Sequence, residues 1–360
     1  MSRTGPATQR GRFVLPVLAL LVLATGVAAL LGMRWLRENY EAAGPGPALA
    51  RIEVPPGTSL HAALAHLEGA GLLRDARAVQ WYLKLKGLNV RVQSGTYEIP
   101  ARASPEQILA LFAAGRVVLE QLTVVEGATF GDFLEVLAAA AHVQHTLRGK
   151  TPAQVMALLG HPGEPPEGEF FPDTYRFAAN TPDVTILGLA YEAMQRELAA
   201  AWAARATGLP FDTPYQALIL ASVVEKEAQL KSERAAIAGV FVNRLRRGMK
   251  LQSDPTVIYG LGDQYDGSVH THDLQTDTPY NTYTREGLPP TPICLPGRES
   301  LNAAVHPEDT GALFFVATGA GDGAHHFSRT LEEHNQAVQQ YLGRLRGQRH
   351  GPAGPQAAHP

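Results

Sequence analysis

With 360 residues, 45% of them hydrophobic and only 18% charged, the chain can build two or three compact units and is not globally disordered. A net charge of −3 gives no electrostatic case for nucleic-acid binding, which normally shows a basic surplus. The single cysteine, Cys294, excludes an intrachain disulfide framework and a multi-cysteine zinc site.

Residues 1–12 carry Arg3, Arg10 and Arg12 and read as a cytoplasmic N-terminus. From Phe13 to Met33 the chain is uncharged and rich in Leu, Ala and Val. A helix crossing a bilayer core needs about 20 apolar residues, so 13–33 reads as a transmembrane anchor. Arg34 and Arg37 follow it, and the positive-inside rule favours an exported body. The competing reading, a cleaved signal peptide, has an apolar region of about 7–15 residues and a small-x-small cleavage site. This stretch is longer and no clear site follows it. Either reading puts the residues after Tyr40 outside the cytoplasm.

Residues 34–50 read as a linker, because the Pro and Gly of AGPGPALA (43–50) disfavour regular structure. In Arg51–Leu73 a β-branched run leads to a Pro56-Gly57 turn, Thr58 or Ser59 as N-cap, and a helix with Leu60, Leu64 and Leu67 on one face. Gln121–Leu137 repeats that order, with Gly127 at the turn, Thr129 as cap, and Phe130, Phe133 and Leu137 along the helix. The recurrence fits an internal duplication or ordinary α+β packing. Between the two units, Ser94–Ile99 reads as a strand and Ser104–Ala114 as a helix with Pro105 at its first position. Together, residues 51–145 form the expected N-terminal module.

Residues 146–345 form the expected C-terminal domain. Its Thr151–Thr181 stretch, with PGEPPEGEFFPDTY at the centre, reads as a long loop of the functional kind. Helices are expected over Val184–Ala206, from Pro214 onward, and in a last segment ending near Leu345. Residues 346–360 have no apolar period and read as a disordered tail.

The segment PYQALILASVVEKEAQ, from Pro214 to Gln229, carries the chemistry. Thr213 caps it, and Ala217–Val224 is apolar on nearly every side, so the helix should be buried. Glu225 shares a face with Leu218, Ala221 and Ser222, surroundings that disfavour a charged carboxyl and suit a general acid. The plainer alternative is a helix ending in solvent with VEKE as its wet last turn. Glu225 and Glu227 are two apart and cannot face each other across a substrate, as paired glycosidase carboxylates must. A second carboxylate would have to come from elsewhere, Asp254 for example.

Several long motifs stand in order over Glu167–Asn335: PEGEFFPDTYRF, ILASVVEKEA, FVNRLRRGMKLQSDPTVIYGLG, YNTYTREGLPPTPICLPG, SLNAAVHP and LFFVATGAGDGAHHFSRTLEEHN. Together they closely resemble the YceG-like family of endolytic murein transglycosylases. The resemblance implies an α+β protein with one N-terminal transmembrane helix, a LysM-like N-terminal module that holds amino-sugar polymers, and a C-terminal catalytic domain. It places the catalytic acid/base at Glu225. That residue would protonate the bond between N-acetylmuramic acid and N-acetylglucosamine, then take a proton from the muramic C6 hydroxyl, leaving a 1,6-anhydro end. Such a lyase needs no second carboxylate, no metal and no cofactor. The implied setting is the cell membrane, with peptidoglycan strands as substrate, synthases nearby, and nascent strands brought to an end.

Candidate substrate-binding residues are Gln252, Asp254, Asn281, Tyr283, Glu227 and His325, a mixture of polar anchors and aromatic surface suited to sugars. Turn chemistry explains Asp254 and Asn281 equally well, and Glu227 could pair with Lys231 or Arg234. The His270/His272 pair and His325, His326 and His334 could be read as metal ligands, but the family chemistry calls for none. The sequence departs from the family pattern at Ala228, Thr291 and Ala324. Thr291 stands where Gly is usual, and Gly alone adopts positive φ freely. Two rival classes stay open: a peptidoglycan-binding scaffold without activity, and a hydrolase that leaves reducing ends.

Overall fold

A computed structural model describes residues 11–349. The expectations for residues 1–10 and 350–360 lie outside the described residues. Helix α1 (Gly11–Glu41) contains the stretch long and apolar enough to cross a membrane, with no part of it buried in the protein. It continues eight residues past Met33, so the expected linker begins as helix.

The chain divides into two compact units, residues 1–120 with 178–180, and residues 121–177 with 181–360. In the first, β1 (Ala50–Val54) pairs antiparallel with β2 (Gly95–Ile99), setting Ile52 opposite Tyr97. Helix α2 (Leu60–Gly69) is capped by Ser59 and α3 (Ala76–Lys86) by Asp75. Helix α4 (Pro105–Ala113) opens with the Ser104–Gln107 capping box. Leu64, Leu67, Tyr97, Ile99, Ile108 and Phe112 form the core of this unit. The segment after α1 is not a loose tether. Gly44 and Gly46 are buried, the Gly44 amide donates to the Ala103 carbonyl (3.2 Å) and the Arg102 amide to that of Gly46 (2.7 Å). A Cβ at Gly44 would lie 2.4 Å from the Ala103 oxygen, which explains why the smallest residue stands there.

The larger unit begins inside β3 (Leu119–Thr123), so the division falls at residue 120 and not near 145. The second strand–turn–helix segment therefore belongs to the larger unit. Its helix α5 (Phe130–Ala139), opened by the Thr129–Asp132 capping box, buries Phe130, Phe133 and Leu137 against Phe170, Ile186 and Leu187. The span from 151 to 181 is also more regular than a loop. It holds α6 (Pro152–Leu158) and β5 (Thr174–Ala178), which pairs with β3, after the short β4 (Val143–Gln144). Strand β6 (Thr181–Pro182) pairs parallel with β4 and leads into α7 (Asp183–Ala203).

Helix α8 (Pro214–Glu227) is the axis of the second core, with α9 (Arg234–Arg246) and α12 (Arg298–Val305) packed around it. Between these two lie α10 (Asp254–Leu261) and α11 (Thr271–Gln275). The hairpin of β7 (Phe314–Ala317) and β8 (His325–Ser328) follows, then α13 (Leu331–Arg349), which runs four residues past the expected end at Leu345.

Candidate active site

The site grows from the end of α8. Thr213 accepts from the Gln216 amide (3.2 Å) while Gln216 accepts from the Thr213 amide (3.1 Å), and Pro214 takes the first turn. Ala217–Val224 is wholly buried, as the apolar run requires. The one polar group within it is satisfied: the Ser222 hydroxyl donates to the Ile219 carbonyl (2.7 Å) and accepts the Ile293 amide (3.0 Å). The Cys294 thiol donates to the Ser222 carbonyl (3.3 Å), and burial pushes that thiol well up. These contacts fix the rotation of the helix, so its last three side chains leave about 100° apart in three directions.

Glu225 does not lie in apolar surroundings. Its side chain is only 5% exposed, and it accepts from Arg234 at 2.6 Å and from the Gly297 amide at 3.0 Å. Arg234, 7% exposed, also reaches Glu299 (2.8 Å) and Glu126 (3.4 Å). The feature that singled out Glu225 in the sequence, an apolar face, is thus replaced by a buried ion-pair cluster. Both carboxyl oxygens of Glu225 thus have a donor within the protein, one of them charged.

Lys226 points elsewhere, into a cavity of about 760 Å³ lined also by Thr129, Glu167, Ile258, Tyr259 and Tyr280. Glu167 is 7% exposed, accepts from the Phe130 amide (3.0 Å) and the Tyr259 hydroxyl (3.1 Å), and is pushed by burial up to about 7. Sequence reasoning did not single it out. Its one signal was its place in the PEGEFFPDTY motif.

Glu227 leaves in the third direction and meets the polar loop before α10. It accepts from the Ser253 hydroxyl at 2.6 Å. Burial raises its carboxyl and neighbouring Asp254 adds to the rise, against the Ser253 hydrogen bond and the positive influence of His325 and Arg244. The loop is held from behind. The Gln252 amide donates to the Thr282 carbonyl and the Ser253 amide to the Thr282 hydroxyl, both at 3.0 Å. Arg244, buried, donates to the Leu251 carbonyl (2.7 Å). Gln252 has φ of 51°, a left-handed conformation that is costly outside Gly and tends to mark working sites.

Four of the other candidates gather here. Asp254 is exposed and accepts from the Tyr283 hydroxyl at 2.5 Å, while burial drives the Tyr283 phenol upward. His325 donates its amide to Glu233 (3.0 Å) and sets its ring nitrogen 2.8 Å from the same carboxylate. Gln252 touches Arg244 through its side-chain oxygen (3.4 Å). Asn281 does not line the site. It is buried, its amide nitrogen serves the carbonyls of Asp273 (3.0 Å), Leu274 (3.2 Å) and Thr276 (2.7 Å), and its oxygen accepts the Tyr283 amide (2.8 Å). Its side-chain link to the candidate site is the bond from the Tyr283 amide. His270 and His272 do not converge on one point: each pairs with its own aspartate, Asp266 and Asp273, at 3.0 Å.

The model of the YceG-like family matches residues 52–340. The chain belongs to the YceG-like family. The endolytic murein transglycosylase of Bacillus subtilis (strain 168) is 31% identical over 310 residues, 81% of this chain and 84% of that protein. That of Streptococcus pneumoniae serotype 2 (strain D39) is 28% identical over 324 residues, and this chain spans 58% of its length. A crystal structure of a YceG-like protein from Listeria monocytogenes aligns at 28% identity over 81% of this chain and 99% of that one, with a TM-score of 0.46. Against the YceG-like pattern, Thr291 needs no glycine conformation here: it is absent from the positive-φ residues, and its hydroxyl bonds to that of Tyr280 (2.8 Å).

Proposed function

We infer that the chain is an endolytic murein transglycosylase, a lyase that cuts peptidoglycan strands. Its YceG-like membership and the names of its relatives support that activity. The observation that carries the site assignment is the contrast between the two glutamates ending α8. Glu225 is spent on Arg234 and the Gly297 amide. Glu227 is the carboxyl whose burial favours its neutral, proton-donating form, and it stands beside Asp254 and Tyr283. We therefore assign the acid/base to Glu227 and treat Glu225 as a residue that positions the helix end.

The protonated Glu227 gives its proton to the oxygen linking C1 of N-acetylmuramic acid to the next sugar, and that C–O bond breaks. The muramic C6 oxygen then bonds to C1 while its proton passes to the Glu227 carboxylate. The enzyme returns to its starting state, a 1,6-anhydro end is formed, and no water is consumed. Asp254, held by the Tyr283 hydroxyl, puts negative charge near the carbon that becomes positive. Gln252 and His325 shape the polar wall, and the cavity lined by Lys226 and Tyr280 accommodates the flanking strand. The smaller unit serves as a LysM-like glycan holder, the helix α1 as an anchor with its N-terminus in the cytoplasm. The membrane location suits cutting of new strands beside their synthases.

The test is a muropeptide analysis of sacculi digested by wild type, Glu227→Gln and Glu225→Gln. Wild type should release 1,6-anhydro products, and Glu227→Gln should lose activity by about 10²–10⁴-fold, the usual worth of a general acid. Glu225→Gln should lose activity only as far as it loses folded protein. A folded, inactive Glu225→Gln beside an active Glu227→Gln would return the role to Glu225. Reducing ends in place of anhydro ends would identify a hydrolase, and uncut strands a binding scaffold.

A further inference from the structure

Helix α3 lies against the end of the apolar helix: Tyr82 stacks on Tyr40 with ring centroids 4.5 Å apart. Tyr40 is seven residues past Met33, about 10 Å along a helix rising about 1.5 Å per residue. If the apolar span ends at Met33, α3 sits at the outer edge of the headgroup layer, which adds roughly 5–8 Å to each side of the hydrocarbon. The height is fixed, because Gly44 and Gly46 are buried and hydrogen-bonded into the same unit directly after α1.

The face that α3 leaves unpartnered has one character. Trp81 (57% exposed) and Leu85 (55%) lie along it one turn apart, with Leu88 (48%) just past the C-cap Gly87, beside exposed Arg77 and Lys84, while exposed Lys86 sits 5.9 Å over the Tyr82 ring. Lys84 sits 5.3 Å over the Trp81 ring. No acidic residue occurs from Ala76 to Tyr97, where Arg91 adds a further cation. A shallow cavity of about 360 Å³ is lined by His61, Arg77, Gln80, Trp81 and Lys84. Indole at headgroup level, aliphatic residues beside it and lysine or arginine at phosphate height are what an anionic bilayer surface binds.

We propose that α3 is a membrane-contacting helix, docking through Trp81, Leu85 and Leu88 with Arg77, Lys84 and Lys86 on the headgroups of anionic phospholipids in the leaflet next to Arg34. The proposal rests on the reading of α1 as a membrane span. It goes beyond anchoring, because it ties the smaller unit flat to the lipid surface.

The protein's three tryptophans, Trp35, Trp81 and Trp202, make the test specific. Full-length variants keeping one tryptophan each, the others changed to Phe, are reconstituted into vesicles of phosphatidylcholine with phosphatidylglycerol brominated near the headgroup. Trp81 should be quenched several-fold more than Trp202, and more by brominated phosphatidylglycerol than by brominated phosphatidylcholine. Each basic residue at an anionic surface is worth about fivefold, so Arg77→Glu/Lys84→Glu/Lys86→Glu should shift docking by on the order of a hundredfold and abolish the excess quenching. Trp35 quenched while Trp81 behaves like Trp202 would overturn the proposal and leave the anchor standing. An unquenched Trp35 would overturn the anchor and the proposal together. Trp81 emission that responds to amino-sugar oligomers and not to lipid would make this face a glycan platform and overturn the lipid assignment.

Discussion

Arg234→Met separates the structural and chemical roles of the α8 terminus. The substitution keeps much of the side chain's length and removes its charge. Of its three partners, Glu299 and Glu126 have side chains open to water, and such exposed pairs contribute about 0–1 kcal/mol each. The Glu225 pair differs, since both side chains are buried and the contact is 2.6 Å. Removing one member of a buried pair costs about 3–5 kcal/mol, because the remaining charge has lost its compensation. A domain of this size shifts by about 2–4 °C per kcal/mol, so Tm of the larger unit should fall by roughly 6–20 °C in calorimetry. Replacing both members, as Arg234→Met/Glu225→Leu, should recover most of that loss, since apolar side chains replace buried pairs well. Below the transition, Arg234→Met should retain turnover near wild type, because no contact links Arg234 to Glu227. A Tm change under about 2 °C would refute the electrostatic argument. Lost turnover in the folded variant would place the Glu225 cluster in the chemistry.

Glu167, raised from its ordinary value to about 7, holds a proton in the folded state that the unfolded chain releases between about pH 4.5 and 7. Its contribution is therefore most favourable below pH 4.5, declines as pH rises to 7, and is then constant. Glu167→Gln should remove up to about 3 kcal/mol of that dependence in urea titrations across pH. Glu169, also raised to about 7 by burial, should preserve a similar slope of its own. Asn281→Ala removes the donor serving three carbonyls at the end of α11 and should cost about 2–3 kcal/mol. It should also lower turnover by freeing Tyr283, an effect that Tyr283→Phe would show without the stability loss. In Gly239→Ala the new Cβ would sit 2.1 Å from the Glu308 carbonyl oxygen, backbone that cannot swing aside. Chemical denaturation should show a loss of about 3 kcal/mol.

Local signals in the sequence carried far. The Thr213–Pro214 start of α8, the buried run to Val224, and the caps at Ser59, Ser104 and Thr129 all depend on neighbours a few residues apart. So does the membrane-length helix, although its hydrophobic pattern said nothing of the helical turns beyond Met33. Long-range partnership was not legible. Arg234 reaches Glu126 and Glu299 across 108 and 65 residues, and no periodicity announces such a meeting. That is why Glu225 looked like an acid in apolar surroundings. The place of α5 was hidden for the same reason: its pattern matches that of α2, and only its packing on Phe170 and Ile186 assigns it to the larger unit. An amide between two tyrosines suits a sugar contact, but the three carbonyls that occupy Asn281 belong to the end of α11 and its C-cap, and no local pattern pairs them with it.

The end of α8 behaves like a reading frame. Thr213 and Ser222 fix its phase, and three consecutive residues serve a scaffold, a cavity wall and the proposed proton donor. Losing one residue from the buried run would rotate the terminus by about 100°. Lys226 would then face Arg234, and Glu227 would open into the cavity away from Ser253. A conservative substitution in 217–224 disturbs packing alone, whereas a single deletion exchanges every assignment at once. Insertions and deletions in this helix should therefore be tolerated far less well than replacements of its side chains.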